Sequence, residues 1–479
     1  MFRKFIRLME MEVFLMDNKK AVRPFGMRDK LGYMFGDFGN DFTFILSSSF
    51  LLKFYTDVMG IEAYVVGIVM MAARIVDAFT DVAMGRICDK SKSTAAGKFK
   101  PWLRRMCGPV AIASFLIYQS AFADWATPAK IAWLAVTYIL WGSIFYTSIN
   151  IPYGSMASAI SPEAGDRQSL STFRTMGGLL AGVIIGAGVP MLAYTKDAAG
   201  NPILDGGKFT VIAGVFSICA VICYLLCYYM TTERVKAEPV AKEGKGDSII
   251  DLFKRALTSR SLLSIIVASI IMLLAQLTMQ QMAGYVYPNF YKSAEAQSAS
   301  TMFMMGGMLV AGALAKPLAT KFGKAEVAVV SNLMAVVVNI VLFFVRPANV
   351  WVYAGFQFVA WLGLGVFSMV SWALITDVID DMEVKNGVRE DGSVYALYSW
   401  ARKLGQAASS GLSGALLSII GYSEATAFDP NVTLGIFNIS VIVPAIGFGA
   451  LAAVLWFWYP LHKKTVDANI AELKSRRKN

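Results

Sequence analysis

Apolar runs of about 18 residues or more recur along the whole chain, with short polar breaks between them. They lack the polar–apolar alternation of period two that a strand or a transmembrane barrel requires. In lipid the backbone must close its own hydrogen bonds, so each run is predicted to be a helix. The pattern places helices near 31–56, 64–88, 102–122, 130–158, 169–195 and 209–230. A second set follows near 260–290, 297–320, 326–345, 350–376, 393–421 and 434–459. Between the sets lies TTERVKAEPVAKEGKGDS, charged and broken by Pro and Gly, which reads as a cytoplasmic linker. The expected class is an all-α membrane protein of twelve transmembrane helices in two six-helix bundles. Its parts are an arm at 1–30, a first bundle at 31–230, a linker at 231–259, a second bundle at 260–460 and a tail at 461–479. The Gly-rich stretches GGLLAGVIIGAG and GGMLVAGALA read as close helix packing.

Composition strengthens this picture. Charged residues are 16% of the chain and hydrophobic ones 56%, against about a quarter charged in a soluble chain. The net charge of +11 matters through its placement. Lys and Arg crowd the N-terminal arm, the segment from Lys90 to Arg105, the linker region from Arg234 to Arg260, and the tail from Lys463 to Lys478. The intervening loops hold little more than Lys130, Lys196, Lys208, Lys292 and Arg346. That alternation predicts a cell inner-membrane protein with both termini in the cytoplasm. The excess charge is therefore topology and attraction to anionic lipid of the bilayer; no nucleic-acid partner is expected.

The first 30 residues do not read as a signal peptide, because Glu10 and Glu12 interrupt any apolar core. A true start at Met16 is preferred over an amphipathic arm. The five cysteines form no disulfide framework; Cys219, Cys223 and Cys227 share one helix face and read as packing residues rather than metal ligands. The single histidine, His462, lies beyond the last helix, which excludes an intramembrane histidine relay.

Charges inside the apolar runs need a reason, since one at a helix centre costs about 2.5–3.5 kcal/mol on insertion scales. The first helix carries Asp37 and Asp41 in GDFGNDF, the second Arg74, Asp77 and Asp81 in ARIVDAFTD. Arg174 lies in the fifth, Arg402 and Lys403 in the eleventh. These acids and bases balance and can pair across a cavity. Asp77 and Asp81 are four residues apart, hence on one helix face. Two such carboxylates do not both ionise cheaply; either one holds a proton or a cation sits between them. Thr80, beside them, offers another oxygen. The rival is a salt bridge to Arg74 that only locks helices. Lys53, near the end of the first helix, is expected to snorkel to the interface.

Two further residues fit a sugar site, where amides bind hydroxyls and aromatic faces stack on rings. Asn150 precedes the helix-distorting Pro152 in the fourth helix, and Trp372 lies in the tenth. Trp456, Trp458 and Tyr459 read as interfacial anchors.

Six helices, a linker and six helices is the plan of the major facilitator fold. The runs ARIVDAFTD, GKFKPW, NIPYGS, the acidic–basic loop DVIDDMEVKNGVREDGS, and ARKLGQA together resemble the glycoside–pentoside–hexuronide:cation symporters, over roughly residues 30–410. NIPYGS, WALITD and RKLGQA are more similar to the glucuronide and pentoside carriers than to the melibiose carrier. The resemblance implies a cation site at Asp77 and Asp81 with Thr147 as a fourth-helix ligand. It implies a sugar site at Asp41, Arg174 and Lys403, to which Asp37, Asn150, Trp372 and Arg402 are added as candidates. Where the melibiose carrier has an acid, a stacking Trp and a cation-site Asn, this chain has Asn150, Gly154 and Thr80. These departures argue against simple galactoside specificity and leave Na⁺, Li⁺ and H⁺ open as the coupling ion.

The function expected is symport of a glycoside, pentoside or hexuronide with Na⁺ or H⁺ by alternating access, in a monomer with no organic cofactor. The only metal expected is a monovalent cation at Asp77 and Asp81. The rivals are a lysolipid or drug carrier on the same fold and a non-transporting sugar sensor. An enzyme is not expected, since no nucleophile–base pair or His-Glu-x-x-His motif occurs.

Overall fold

The computed structural model describes residues 23–94, 96–235, 259–387 and 391–476. Met16, most of the linker and residues 477–479 lie outside these, and so do the readings made on them. Twelve long helices follow the predicted runs. They are α1 (Met27–Asp57), α2 (Ala63–Lys90), α3 (Lys100–Ile117), α4 (Thr127–Ile160), α5 (Ala164–Ala193) and α6 (Gly206–Met230). The second set is α7 (Arg260–Phe290), α8 (Ala294–Phe322), α9 (Lys324–Val345), α10 (Val350–Asn386), α11 (Asp391–Ile419) and α12 (Pro430–Trp458). Two features were not predicted. A short antiparallel hairpin, β1 (Tyr194–Lys196) with β2 (Pro202–Leu204), joins α5 to α6, and α13 (Lys463–Arg476) occupies the tail.

By length and composition, 8 of these helices can cross a membrane. The other long helices are α1, α2, α3 and α11, and each of them carries several charged residues. Asp37 and Asp41 lie in α1, Arg74, Asp77 and Asp81 in α2, Lys100, Arg104 and Arg105 in α3, and Arg402 and Lys403 in α11.

The segment DVIDDMEVKN, expected in a loop, instead prolongs α10 to Asn386. Two of its acids have side-chain partners. Lys324 Nζ donates to Asp377 at 2.6 Å, and Ser261 and Lys385 donate to Asp381 at 2.8 and 2.7 Å. Asn469 of α13 reaches the same carboxylate at 3.3 Å. The helix stops at Gly387, whose φ of 74° is left-handed and open to glycine at no steric cost.

Within the first bundle α1 packs on α5 and α6; within the second, α9 packs on α10 and α12, and α7 on α11 and α12. The bundles meet along α2 with α11 and α5 with α8. Glycine makes the first seam possible, since a Cβ on Gly414 would stand 2.3 Å from the Ala63 carbonyl oxygen. The packing reading holds at Gly177, where a Cβ would come within 2.6 Å of the Met34 carbonyl oxygen. It fails at Gly306 and Gly312, which face open space.

The end of the assembly where α1 begins is called proximal here, the opposite end distal. At the distal end Lys53 does not snorkel. Its side chain is 1% exposed, and its ammonium pairs with Asp57 at 2.7 Å and donates to Asn289 at 2.6 Å and Tyr422 at 2.9 Å. Asn289 and Tyr422 belong to the second bundle, so Lys53 ties the halves together. Tyr422 also donates to Asp57 at 2.8 Å, and Ser418 Oγ accepts from the Tyr64 amide at 2.9 Å. A buried lysine needs several partners of this kind to offset desolvation. Trp456 is half exposed, as an interfacial residue would be, but Tyr459 is buried and donates to the Leu374 carbonyl at 3.2 Å, so it is a core residue rather than an anchor.

Candidate functional site

Asp77 and Asp81, near the middle of α2, both turn toward α4. Ser143 Oγ donates to Asp77, and Thr147 Oγ1 donates to Asp81 at 2.7 Å. The two hydroxyls are four residues apart, as are the two carboxylates, so two helix faces present matching oxygens. The α4 backbone is altered there, with Leu140–Tyr146 winding as a π-helix, an insertion that often marks a functional position. Gly142 lies in that turn. A Cβ on it would stand 3.3 Å from both Asp77 carboxylate oxygens, so the glycine lets α4 approach the acid. The distortion precedes Pro152, which sits inside regular helix.

Cations flank the acids on two sides. Arg74 pairs with Asp77 at 3.3 Å within α2, so the salt bridge weighed as the rival reading is present. Its guanidinium lies 5.0 Å from the ring centre of Phe44 and 5.6 Å from those of Tyr138 and Trp141, which supplies cation–π stabilisation to a buried charge. Lys403 of α11 forms an ion pair with Asp81, and its Nζ donates to the Asp77 carbonyl at 3.2 Å. The lysine expected beside the sugar therefore sits on the acidic pair, because α11 packs directly on α2. Thr80 donates to the Asp77 carbonyl at 3.2 Å, so its hydroxyl is engaged by its own helix. Ser143, which sequence reasoning missed, supplies the hydroxyl that touches the Asp77 carboxylate. The signal that finds it is its spacing of four from Thr147.

A second cluster lies between α1 and α5. Arg174 Nε donates to Asp37 at 2.9 Å, and its guanidinium stands 5.4 Å from the ring centre of Tyr153. Asp41 is one turn further along α1, and a Cβ on Gly178 would come within 2.6 Å of its carboxylate. Asn150 makes a contact with α1 as well. It accepts from Asn40 Nδ2 at 3.2 Å, and Asn40 accepts from Tyr224 at 2.9 Å, a network that joins α4, α1 and α6. Gly154, by contrast, borders open space.

The third group is aromatic and basic. Arg402 lies 5.4 Å from the ring centre of Trp372 and 5.8 Å from that of Tyr398. Trp372 also stacks on Tyr395, with ring centres 6.4 Å apart. Arg402 and Gly178 both border a cavity of about 320 Å³ enclosed by α1, α5, α7, α8, α10 and α11, a size at the lower end of ordinary small-molecule sites.

Two six-helix bundles around a central cavity, with clusters of charged residues beside it, define a polytopic carrier of the major facilitator fold. The family model described as MFS/sugar transport protein matches residues 32–463, and the chain belongs to that family, among the glycoside–pentoside–hexuronide carriers. A putative sulfoquinovose importer of Salmonella typhimurium is 31% identical over 94% of this chain and 93% of its own. A glucuronide carrier protein homolog of Escherichia coli is 29% identical over 94% and 96%. The crystal structure of a D-xylose-proton symporter superposes with a TM-score of 0.61 at 13% identity, covering 91% of this chain and 97% of that one. The protein is a sugar transporter of the membrane and not an enzyme.

Proposed function

We propose that the protein couples uptake of a glycoside, pentoside or hexuronide to a monovalent cation held by Asp77, Asp81, Ser143 and Thr147. The observation that carries this reading is the placement of Lys403. Its ammonium occupies one side of the acidic pair, where a lysine stands in for a bound cation. An ion entering between Asp77 and Asp81 competes with Lys403 for the same oxygens and releases it toward Arg402 and the cavity. There the freed ammonium becomes a donor for sugar oxygens. Ion and sugar then strengthen each other's binding by the same factor, as linkage demands. Asp41, with Asp37 and Arg174 behind it, receives sugar hydroxyls at the other wall, and the names of the relatives, which are those of sugar carriers, support a substrate of this class.

The distal bonds of Lys53 and the α5–α8 contacts close one end of the cavity. The placement of Lys and Arg supports putting that end on the outside of the inner membrane, with both termini cytoplasmic, and on this reading the arrangement is an inward-facing one. The linker at 231–259 joins bundles that rock about the cavity as a monomer. Purified protein titrated with D-glucuronate and D-xylose, with and without Na⁺ and across pH, tests the coupling. Equal affinity under all conditions overturns it. Asp81→Cys is expected to abolish concentrative uptake, and retained accumulation would move the ion elsewhere.

A further inference from the structure

The cavity has two chemically different ends. At the near end stand Arg402 and Gly178, the latter against Asp41. Toward the distal face the wall is formed by the amides Gln280 and Gln297 and by Tyr287, while Gln276 and Gln406 lie between the two ends. Among the residues that border the cavity, Arg402 is the only charged one. A run of methionines, Met304, Met305 and Met308, supplies an apolar wall on α8, and such side chains adapt to the shape of what they touch.

The amides are not equivalent. Gln280 donates to Ser49 of α1 at 2.8 Å and so belongs to the contact between the bundles. Gln297 is only 6% exposed, yet its side-chain carbonyl accepts no hydrogen bond. An acceptor left unpaired in this way is uncommon and unfavourable. The hydroxyl of Thr301, one turn along α8, does not serve it, because that hydroxyl is engaged by the backbone carbonyls of Gln297 at 3.0 Å and Gly186 at 3.2 Å. Gln297 borders a mostly apolar space whose polar groups at this end are amides and hydroxyls, with no base there to neutralise an anion.

We propose that this distal lobe is a second hydroxyl-reading subsite and that Gln297 is its specificity-determining residue. Gln297 accepts a hydrogen bond from a hydroxyl on a second, uncharged sugar ring, while the first ring occupies the near end at Asp41. Gln276, between the two ends, adds a further donor and acceptor at the junction of the rings, and the methionines pack against the apolar face of the second. An ionised group in the lobe would lose water without gaining a counter-charge, so the lobe selects against one. The inference rests on the sugar-symport reading above.

Proteoliposomes loaded under Na⁺ or H⁺ gradients separate the two. Uptake of D-xylose is compared with that of xylobiose, and uptake of D-glucuronate with that of glucuronosyl-xylose. The wild type is expected to take the two-ring member of at least one pair with the lower KM. Gln297→Leu then raises that KM roughly tenfold, as loss of one hydrogen bond does, and leaves the one-ring KM unchanged. Gln276→Leu moves it in the same direction by less, and serves if Gln297→Leu does not reach the membrane. A wild type that carries only one-ring sugars overturns the subsite. So does an equal rise for both members of a pair, or no change in either, which makes Gln297 part of the closure between bundles. Failure of all four sugars to accumulate under both gradients sinks the symport reading itself.

Discussion

Lys403 of α11 and Asp81 of α2 form an ion pair that spans the two bundles at the depth of the acidic pair. Neither partner is well exposed, at 26% and 20% of the side chain, so each depends on the other. Removing one member of a partly buried pair is costly, whereas removing both is far less so. Asp81→Asn is expected to lower the thermal unfolding midpoint in detergent, by on the order of 2–3 kcal/mol in stability, and Asp81→Asn/Lys403→Gln to recover most of it. A double variant no more stable than the single one would mean that the pair is not coupled.

Ser143 donates to the carboxylate that Arg74 also touches. Ser143→Ala removes one oxygen from the proposed ion site while leaving the acids in place. The half-saturating Na⁺ or H⁺ activity for sugar uptake should rise roughly tenfold, the usual scale for a hydrogen bond or ligand to a charged group. An unchanged ion dependence would reduce Ser143 to a packing residue.

Two glycines of α5 make a matched contrast. A Cβ at Gly178 would meet the Asp41 carboxylate at 2.6 Å, whereas one at Gly182 would meet the Met305 methyl at 2.8 Å. A methionine terminus can swing aside and a carboxylate in a charged cluster is less free to do so. Gly178→Ala is therefore expected to raise the sugar KM about tenfold or more, and Gly182→Ala to change it by less than about threefold. Equal effects would show that the two positions are felt only through helix packing.

Lys53 holds Asp57, Asn289 and Tyr422 together at the distal end. Lys53→Met removes a buried charge and leaves Asp57 without its strongest partner. The expected loss of distal closure is on the order of 3 kcal/mol, enough to shift the population between conformers by more than about a hundredfold. Spin labels at Gly60 and Glu424, both exposed in distal loops, should report a longer distance distribution in the variant. An unchanged distribution would show that the α2–α11 and α5–α8 contacts keep that end shut without it.

Glu233 accepts from the backbone amides of Lys98, Phe99 and Lys100 at 2.7, 2.9 and 2.7 Å, ahead of and at the start of α3. Glu233→Gln retains shape but removes the charge that satisfies those donors. A loss of about 1–3 kcal/mol in unfolding stability with unchanged sugar KM is expected. A changed KM at normal stability would place the α2–α3 loop in the transport cycle.

Much of this was legible in the chain because lipid makes polarity anomalous. Asp77, Asp81, Asp37 and Arg174 stood out as charges inside apolar runs, and the structure brings each to a partner. Thr147 came only from the resemblance, and Ser143 escaped because a serine in a membrane helix is unremarkable until an acid is seen beside it. Lys53 was misread for the opposite reason. Its place near a helix end suggests a route to water, but the groups that bury it come from the far bundle. Gln297 is of the same kind, since an unpaired carbonyl is a property of its surroundings and leaves no mark on local sequence. Asn150 was recognised as unusual, and its carbonyl oxygen joins a contact among α1, α4 and α6.

The charge on α2 also bears on how the chain is made. As that helix leaves the ribosome it presents Arg74, Asp77 and Asp81 to the insertion machinery. Each charge at the centre of a helix disfavours entry into lipid by about 2.5–3.5 kcal/mol. Arg74 and Asp77 can neutralise each other within one turn of the same helix, but the cation for Asp81 belongs to α11, which is synthesised near the end. Until then Asp81 has the hydroxyl of Thr147, which arrives with α4. The first four helices thus have reason to enter the bilayer as a group, and the completed ion pair makes late assembly of the second bundle a checkpoint on the first.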